Sequence, residues 1–206
     1  MEERRKAVSK QEVISGSDVN YYLEVIPGVN GKDDITVEIE DIIEFFEMNF
    51  SSGTVFKSAV RLCKLRKDLG KPGSNHVYEA EKIVYYSKRL LAITKRRLWF
   101  FKLLNKYLNP FTKTYKENLK PFKMNVSIKD PKRLQPYTFN TEDFIKALGA
   151  NPFEEDLLSR IFKICIMRKK SFFIRPGELD YAKQLLLFAE YIHLREVQIE
   201  SLRKNS

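Results

Sequence analysis

Gly53, Lys57, Arg61 and Lys64 follow one another at steps of four, four and three residues, the spacing that lines side chains along one side of a helix. A glycine where such a helix opens lets backbone N–H groups approach a ligand, and the helix N-terminus adds partial positive charge. The chemistry this points to is phosphate binding, with Lys57 and Arg61 neutralising the anion from the next turns. Three cations so close repel one another by a few tenths of a kcal/mol per pair, and an anion would relieve them. Glu38, Asp41, Glu44, Glu79 and Glu81 could supply the carboxylates that phosphoryl transfer uses to hold Mg²⁺, although acids on amphipathic helices ordinarily face water. No catalytic residue is identified by spacing. The acidic helix pairs of a nucleotide pyrophosphohydrolase are only hinted at by Glu44/Glu47 and Glu38/Asp41, and Gly70-Lys71-Pro72-Gly73 lacks the spacing of a Walker A loop. Two cysteines and two histidines make a zinc site improbable, and no metal site is expected.

The elements that must carry these residues read as helices. Thr36 can cap a first helix with Ile39, Ile42, Ile43 and Phe46 on one face, broken at Asn49-Phe50-Ser51-Ser52-Gly53. A second is expected from about Ser52 to Asp68, on Val55, Ala59, Leu62 and Cys63, and a third from His76 to about Tyr107. The third continues into Lys95-Arg96-Arg97-Leu98-Trp99-Phe100-Phe101. Arginine beside aromatic rings can hold phosphate and stack bases, but Trp99, Phe100, Leu103, Leu104 and Tyr107 fall at helical core spacing, and packing is the favoured reading. Residues 1–18 read as a flexible polar arm, residues 19–34 as a loop with at most one short extended piece, and residues 110–137 as a Lys- and Pro-rich connector with a short helix near 112–119.

The chain resembles itself at a spacing of 102 residues: Glu40-Asp41-Ile42-Ile43 recurs as Glu142-Asp143-Phe144-Ile145, Asn49 as Asn151, and Cys63 as Cys165. A second unit (138–206) therefore follows the first (19–109), with helices near Thr141 to Leu148, Phe153 to Lys169 and Glu178 to Lys204. The expected fold is all-α, a three-helix unit used twice in a pseudo-twofold bundle. The paired cysteines are expected to be buried thiols. In the last helix Leu187, Tyr191, Leu194, Val197 and Leu202 form a side that is buried or faces a partner, which leaves a homo-oligomer open. Gly53 and Lys57 become Glu155 and Ser159 in the second unit, so chemistry is sought in the first.

With 206 residues, 43% of them hydrophobic, the chain has enough material for a core. No run is long and apolar enough to span a membrane, and the opening residues are charged, unlike a secretory signal, so a cytoplasmic protein is expected. Between Lys57 and Arg133 stand 21 Lys/Arg against 5 Asp/Glu, a basic segment that attracts nucleotide phosphates, nucleic acid or an acidic protein.

Residues 19–91 resemble the bacteriophage SaV-like family of uncharacterised proteins, which includes a podophage nucleoside monophosphate kinase. The resemblance rests on Asn20 with Tyr21-Tyr22, Val37-Glu38-Ile39-Glu40-Asp41-Ile42-Ile43-Glu44, Asn49-Phe50, Gly53, Lys57, Arg61, and then Glu79, Glu81, Lys82 and Tyr86. It covers about a third of the chain, with a degenerate second copy near 138–193. Tyr21 stands where the family has histidine, which removes a proton carrier useful near neutral pH. What the resemblance implies is a phage protein of the host cytoplasm, with Asn20, Tyr22, Asn49, Gly53, Lys57, Arg61, Lys64, Lys82 and Tyr86 around a nucleotide phosphate, and Mg²⁺ as cofactor if phosphoryl groups are transferred. The alternative is a non-enzymatic phage accessory protein whose basic middle segment binds nucleic acid or an acidic host protein.

Overall fold

The computed structural model describes residues 22–29, 33–71, 73–108, 124–128, 137–169 and 176–205. Strand β1 (Leu23–Ile26) pairs antiparallel with β2 (Ile35–Glu38), Leu23 opposite Glu38 and Ile26 opposite Ile35. Ile26 and Val37 point into the core while Val25 faces solvent, the two-residue alternation of a half-buried ribbon. The last residue of β2, Glu38, is also the N-cap of helix α1 (Ile39–Phe45), extended at φ −83°, ψ 137° and without a side-chain capping bond. Helix α2 (Phe50–Leu65) begins at Asn49, whose Oδ1 accepts from Ser52 N at 2.9 Å, and helix α3 (His76–Leu108) follows. The chain then repeats the order with β3 (Asn125–Ile128), β4 (Tyr137–Asn140), α4 (Thr141–Ala147), α5 (Pro152–Lys169) and α6 (Pro176–Asn205).

The first four elements of each set begin 102 residues apart, at Leu23 and Asn125, Ile35 and Tyr137, Ile39 and Thr141, and Phe50 and Pro152. The strand registers match as well, Leu23 opposite Glu38 and Asn125 opposite Asn140. So do the left-handed residues after α1 and α4, Glu47 at φ 49° and Gly149 at φ 67°. Contacts between the halves come in exchanged pairs. Lys67 Nζ donates to Ala147 O at 2.5 Å and Lys169 Nζ to Phe45 O at 2.8 Å; Arg66 reaches Glu196 at 2.7 Å and Arg168 reaches Thr94 at 2.9 Å. Lys88 and Glu190, themselves 102 apart in number, meet at 3.8 Å, and Arg97 meets Glu178 at 3.0 Å, so α3 and α6 run in opposite directions.

One core joins the halves. Phe46 and Phe56 of the first half lie 4.6 and 5.5 Å, centroid to centroid, from Phe162 of the second, and Phe56 lies 6.0 Å from Phe144. Cys63 and Cys165 are both buried and free. The six helices hold 73% of the described residues, and no helix among them is long and apolar enough to cross a membrane.

The mostly helical class agrees with the sequence, but two small sheets were not expected. Thr36 lies inside β2 and the N-cap position of α1 falls to Glu38, because the strand runs into the helix without a break; β3 falls within what read as connector. Trp99 and Phe100 are 66% and 55% exposed instead of packed: Arg97 meets Glu178, the third residue of α6, so α3 reaches the start of its antiparallel partner there and runs on past it. The side of α6 carrying Leu187, Tyr191, Leu194, Val197 and Leu202 is exposed, not buried. The arm 1–18, the short helix at 112–119, and Asn20 with Tyr21 lie outside the described residues.

Candidate functional site

The cations of α2 stand on one side, as their spacing requires, and the protein itself supplies their anions. Lys57 pairs with Glu40 at 2.8 Å, Lys64 with Glu24 at 3.0 Å, and Arg61 approaches Glu79 at 3.8 Å. Lys64 is buried and donates to the carbonyl of Leu23, so it fastens β1 to α2. Arg61 donates to the hydroxyl of Tyr22, whose ring lies 5.2 Å from the guanidinium and 5.5 Å from Lys57 Nζ. Gly53 is buried, its N–H donates to Asn49 O at 2.8 Å, and a Cβ there would meet only Ile43 and Met48 at 3.6 and 3.8 Å. Its backbone N–H is therefore committed to the helix, and the residue serves packing of α1 on α2.

The open chemistry lies further along. Arg61 from α2, Lys71, Gly73, Ser74 and Asn75 from the following loop, and Tyr78, Glu79 and Lys82 from the first turns of α3 line a cleft of about 420 Å³. Asn75 starts α3 as a cap: its Oδ1 accepts from Tyr78 N at 2.7 Å and its carbonyl from Glu79 N at 3.1 Å. Gly73, at φ 76°, makes the turn that side chains rarely make. Glu79 is buried and accepts from Ser74 Oγ at 2.6 Å and from Lys82 Nζ at 3.3 Å. Lys71 is exposed and has no ion-pair partner among the described residues. Three cations against one carboxylate leave the cleft positive, with the N-terminal end of α3 adding to the same sign. The Tyr78 ring, about half exposed and 5.0 Å from Lys82 Nζ, offers a flat face at the rim.

Among the described residues, the second half does not repeat this cleft chemistry. The counterpart of Arg61 is Lys163, which donates to Tyr181 Oη at 3.2 Å where the first half has Glu79. Gln184 replaces Lys82 and accepts from Arg160 Nε at 3.0 Å, and Ser159 replaces Lys57.

Several polar groups buried between the halves are tied to one another instead. Asn151 and Glu154 form a capping box at the start of α5, Asn151 Oδ1 accepting from Glu154 N at 3.1 Å and Glu154 Oε2 from Asn151 N at 3.0 Å. The same carboxylate accepts from Arg66 Nη1 at 2.6 Å, and Arg66 Nη2 donates to Glu196. Burial works to lower the Arg66 pKa, but the two carboxylates outweigh it and hold the guanidinium charged. Burial pushes the Cys63 thiol well above its usual range, with Glu154 adding to the effect.

Of the residues picked from sequence, the fold brings Tyr22, Lys57, Arg61 and Lys82 together through shared aromatic and carboxylate partners. Asn49, Gly53 and Tyr86 gather at the other end of α2, where Tyr86 packs edge-on against Phe50 at 5.6 Å; Lys64 is set into the β1 contact. Sequence reasoning missed Lys71, Ser74, Asn75 and Tyr78 as site residues. The signal was there in Gly70-Lys71-Pro72-Gly73-Ser74-Asn75 before a helix, read as a loop only. Comparison of the chain with protein-family models, with curated proteins and with solved structures finds no match.

Proposed function

We propose that the first half binds a mononucleotide through its phosphate at the Arg61–Lys71–Lys82 cleft, and that the two halves are copies of one ββααα unit of which only the first keeps the site. The observation that carries the reading is the convergence of three cations from three separate segments on one cleft, where Lys71 has no ion-pair partner among the described residues. Lys71 and Lys82 would meet the phosphate, Arg61 would be turned toward it by Tyr22 and Glu79, and Tyr78 would lie under the base. The resemblance to the phage SaV-like family is in keeping with this, since Tyr22, Arg61, Glu79 and Lys82 all belong to the matching motif. The fuller reading is a nucleoside monophosphate kinase-like protein of phage nucleotide metabolism, working in the host cytoplasm. Glu79, the carboxylate of the cleft lining, is held by Ser74 and Lys82, so binding is better supported than phosphoryl transfer. Mg²⁺ would enter with the nucleotide's own phosphates, since this ion is commonly held by one or two carboxylates plus substrate oxygens.

The test is a thermal-shift series with nucleoside mono-, di- and triphosphates, with and without Mg²⁺. A ligand at about 100 times its Kd stabilises the fold by about 2.7 kcal/mol. Lys71→Ala and Lys82→Ala should each weaken binding by about 1.5–3 kcal/mol, the range for charge-assisted hydrogen bonds, while Ser159→Ala leaves it unchanged. Absence of any nucleotide-dependent shift at millimolar ligand would defeat the proposal.

A further inference from the structure

The exposed face of α3 away from the cleft has a composition that neither the core nor the cleft explains. Between Lys82 and Leu108 the sequence holds eight Lys/Arg and not one Asp or Glu. On this face Tyr85, Lys88, Arg89, Ala92, Lys95, Arg96, Trp99 and Phe100 are all exposed. Lys88 is paired with Glu190 across the α3–α6 contact, whereas Arg89, Lys95 and Arg96 have no ion pair with any described residue. Tyr85, Trp99 and Phe100 are each more than half exposed. At 1.5 Å per residue, the strip from Tyr85 to Trp99 is about 21 Å long.

Each class of occupant is selected or rejected by this mixture. An apolar protein surface would cover the rings but would also strip water from Arg89, Lys95 and Arg96 with nothing to pair them. A nucleic-acid duplex would satisfy the cations, yet its bases are stacked inside and the rings would stay uncovered. A single strand offers both parts, phosphates along its length and free base faces, and base–aromatic stacking beside a basic track is how sequence-tolerant single-strand sites are built. We infer that the α3 strip Tyr85–Arg89–Lys95–Arg96–Trp99–Phe100 is a binding track for single-stranded nucleic acid, with Trp99 as its principal stacking platform. Trp99 stands 17 residues beyond Lys82, the last residue of the cleft lining, about 26 Å along the helix, and only the Tyr85 end of the track comes near the cleft.

Trp99 is the only tryptophan in the chain, so its fluorescence reports on this strip alone. Titrating the full-length protein with a 20-nucleotide oligothymidylate or oligouridylate at low salt should quench it saturably. Trp99→Ala should weaken binding, followed by anisotropy of a labelled strand, about tenfold or more, and Trp99→Phe, which keeps a ring, should retain most of the affinity. An unaltered melting curve for both variants is expected from the exposure of the side chain. The triple variant Arg89→Ala/Lys95→Ala/Arg96→Ala should lower the slope of log K against log salt by about 2, at roughly 0.7 per phosphate contact on a single strand. Lys71→Ala in the cleft should leave strand binding unchanged. The inference is overturned if Trp99→Ala binds within twofold of the parent, or if heparin or a 20-base-pair duplex quenches Trp99 as fully as the single strand. It is equally overturned if Trp99 emission shifts with protein concentration alone, which would make a second copy the occupant.

Discussion

Cys63 and Cys165 stand 102 residues apart in the sequence and share one kind of surrounding. Each is buried in its long middle helix, and burial raises both thiols, that of Cys165 to about 11. Since the thiolate is the reacting species, a disulfide reagent at pH 8 should label neither cysteine in the folded protein at the rate of a free thiol, and both at once in denaturant. Immediate stoichiometric labelling of the native protein would show that the two sites open. His76, at the start of α3, is shifted the other way: burial lowers its pKa, against the pull of Glu196. Above about pH 6.5, the ordinary histidine value, it is neutral folded and unfolded and stability is whole. As the pH falls below that, the unfolded chain takes the proton first and stability is lost until the folded value is passed. Urea midpoints should therefore drop between pH 7 and 5, above the range where carboxylates titrate, and the drop should be smaller in His76→Asn.

Among the elements, the junction after α4 is the one that a single atom can upset. Gly149 sits at φ 67°, and a Cβ there would lie 2.9 Å from Lys67 Cε, the side chain that reaches across to Ala147 O. Gly149→Ala should cost about 1–2 kcal/mol, the penalty of a left-handed residue with a side chain, read as a lowered urea midpoint at unchanged m-value. The matching position after α1 already holds Glu47 in the same conformation, so the unit tolerates a side chain there when nothing crowds it. The helices were readable in the sequence to within two or three residues at most ends, because their apolar periodicity runs for several turns. The first, expected from Thr36, starts three residues later because β2 takes up Ile35–Glu38. The strands were not readable: four residues such as Ile35-Thr36-Val37-Glu38 are too few to establish an alternation, and the pairing that makes them strands comes from outside the run. The site was half readable for a related reason. Arg61 and Lys82 announce themselves as cations on helical faces, but that Glu24, Glu40 and Glu79 would answer the α2 cations, or that Lys71 and Tyr78 would share a cleft with Arg61, depends on segments brought together only in three dimensions.

At the scale of the whole molecule, the halves complete one another. Phe46 and Phe56 are covered by Phe162 and Phe144, and the reciprocal lysine bonds to Phe45 and Ala147 cross the same boundary. Residues 1–109 produced alone should thus lack a cooperative melting transition, while the same fragment mixed with residues 110–206 should recover helical circular dichroism and elute as a one-to-one complex. Independent, cooperative folding of the first fragment would mean that the shared ring cluster is dispensable.

The shared ring cluster also sets a clock on synthesis. Phe56 leaves the ribosome about 106 residues before Phe162, its partner at 5.5 Å, and at roughly 5–20 residues per second the wait is on the order of 5–20 s. During that interval the first three helices carry an uncovered aromatic face, and contacts so distant in sequence are also slow to close once the chain is free. A nascent chain stalled at residue 109 should accordingly be held by a chaperone that recognises apolar segments, and one extended far enough to free α6 should be let go.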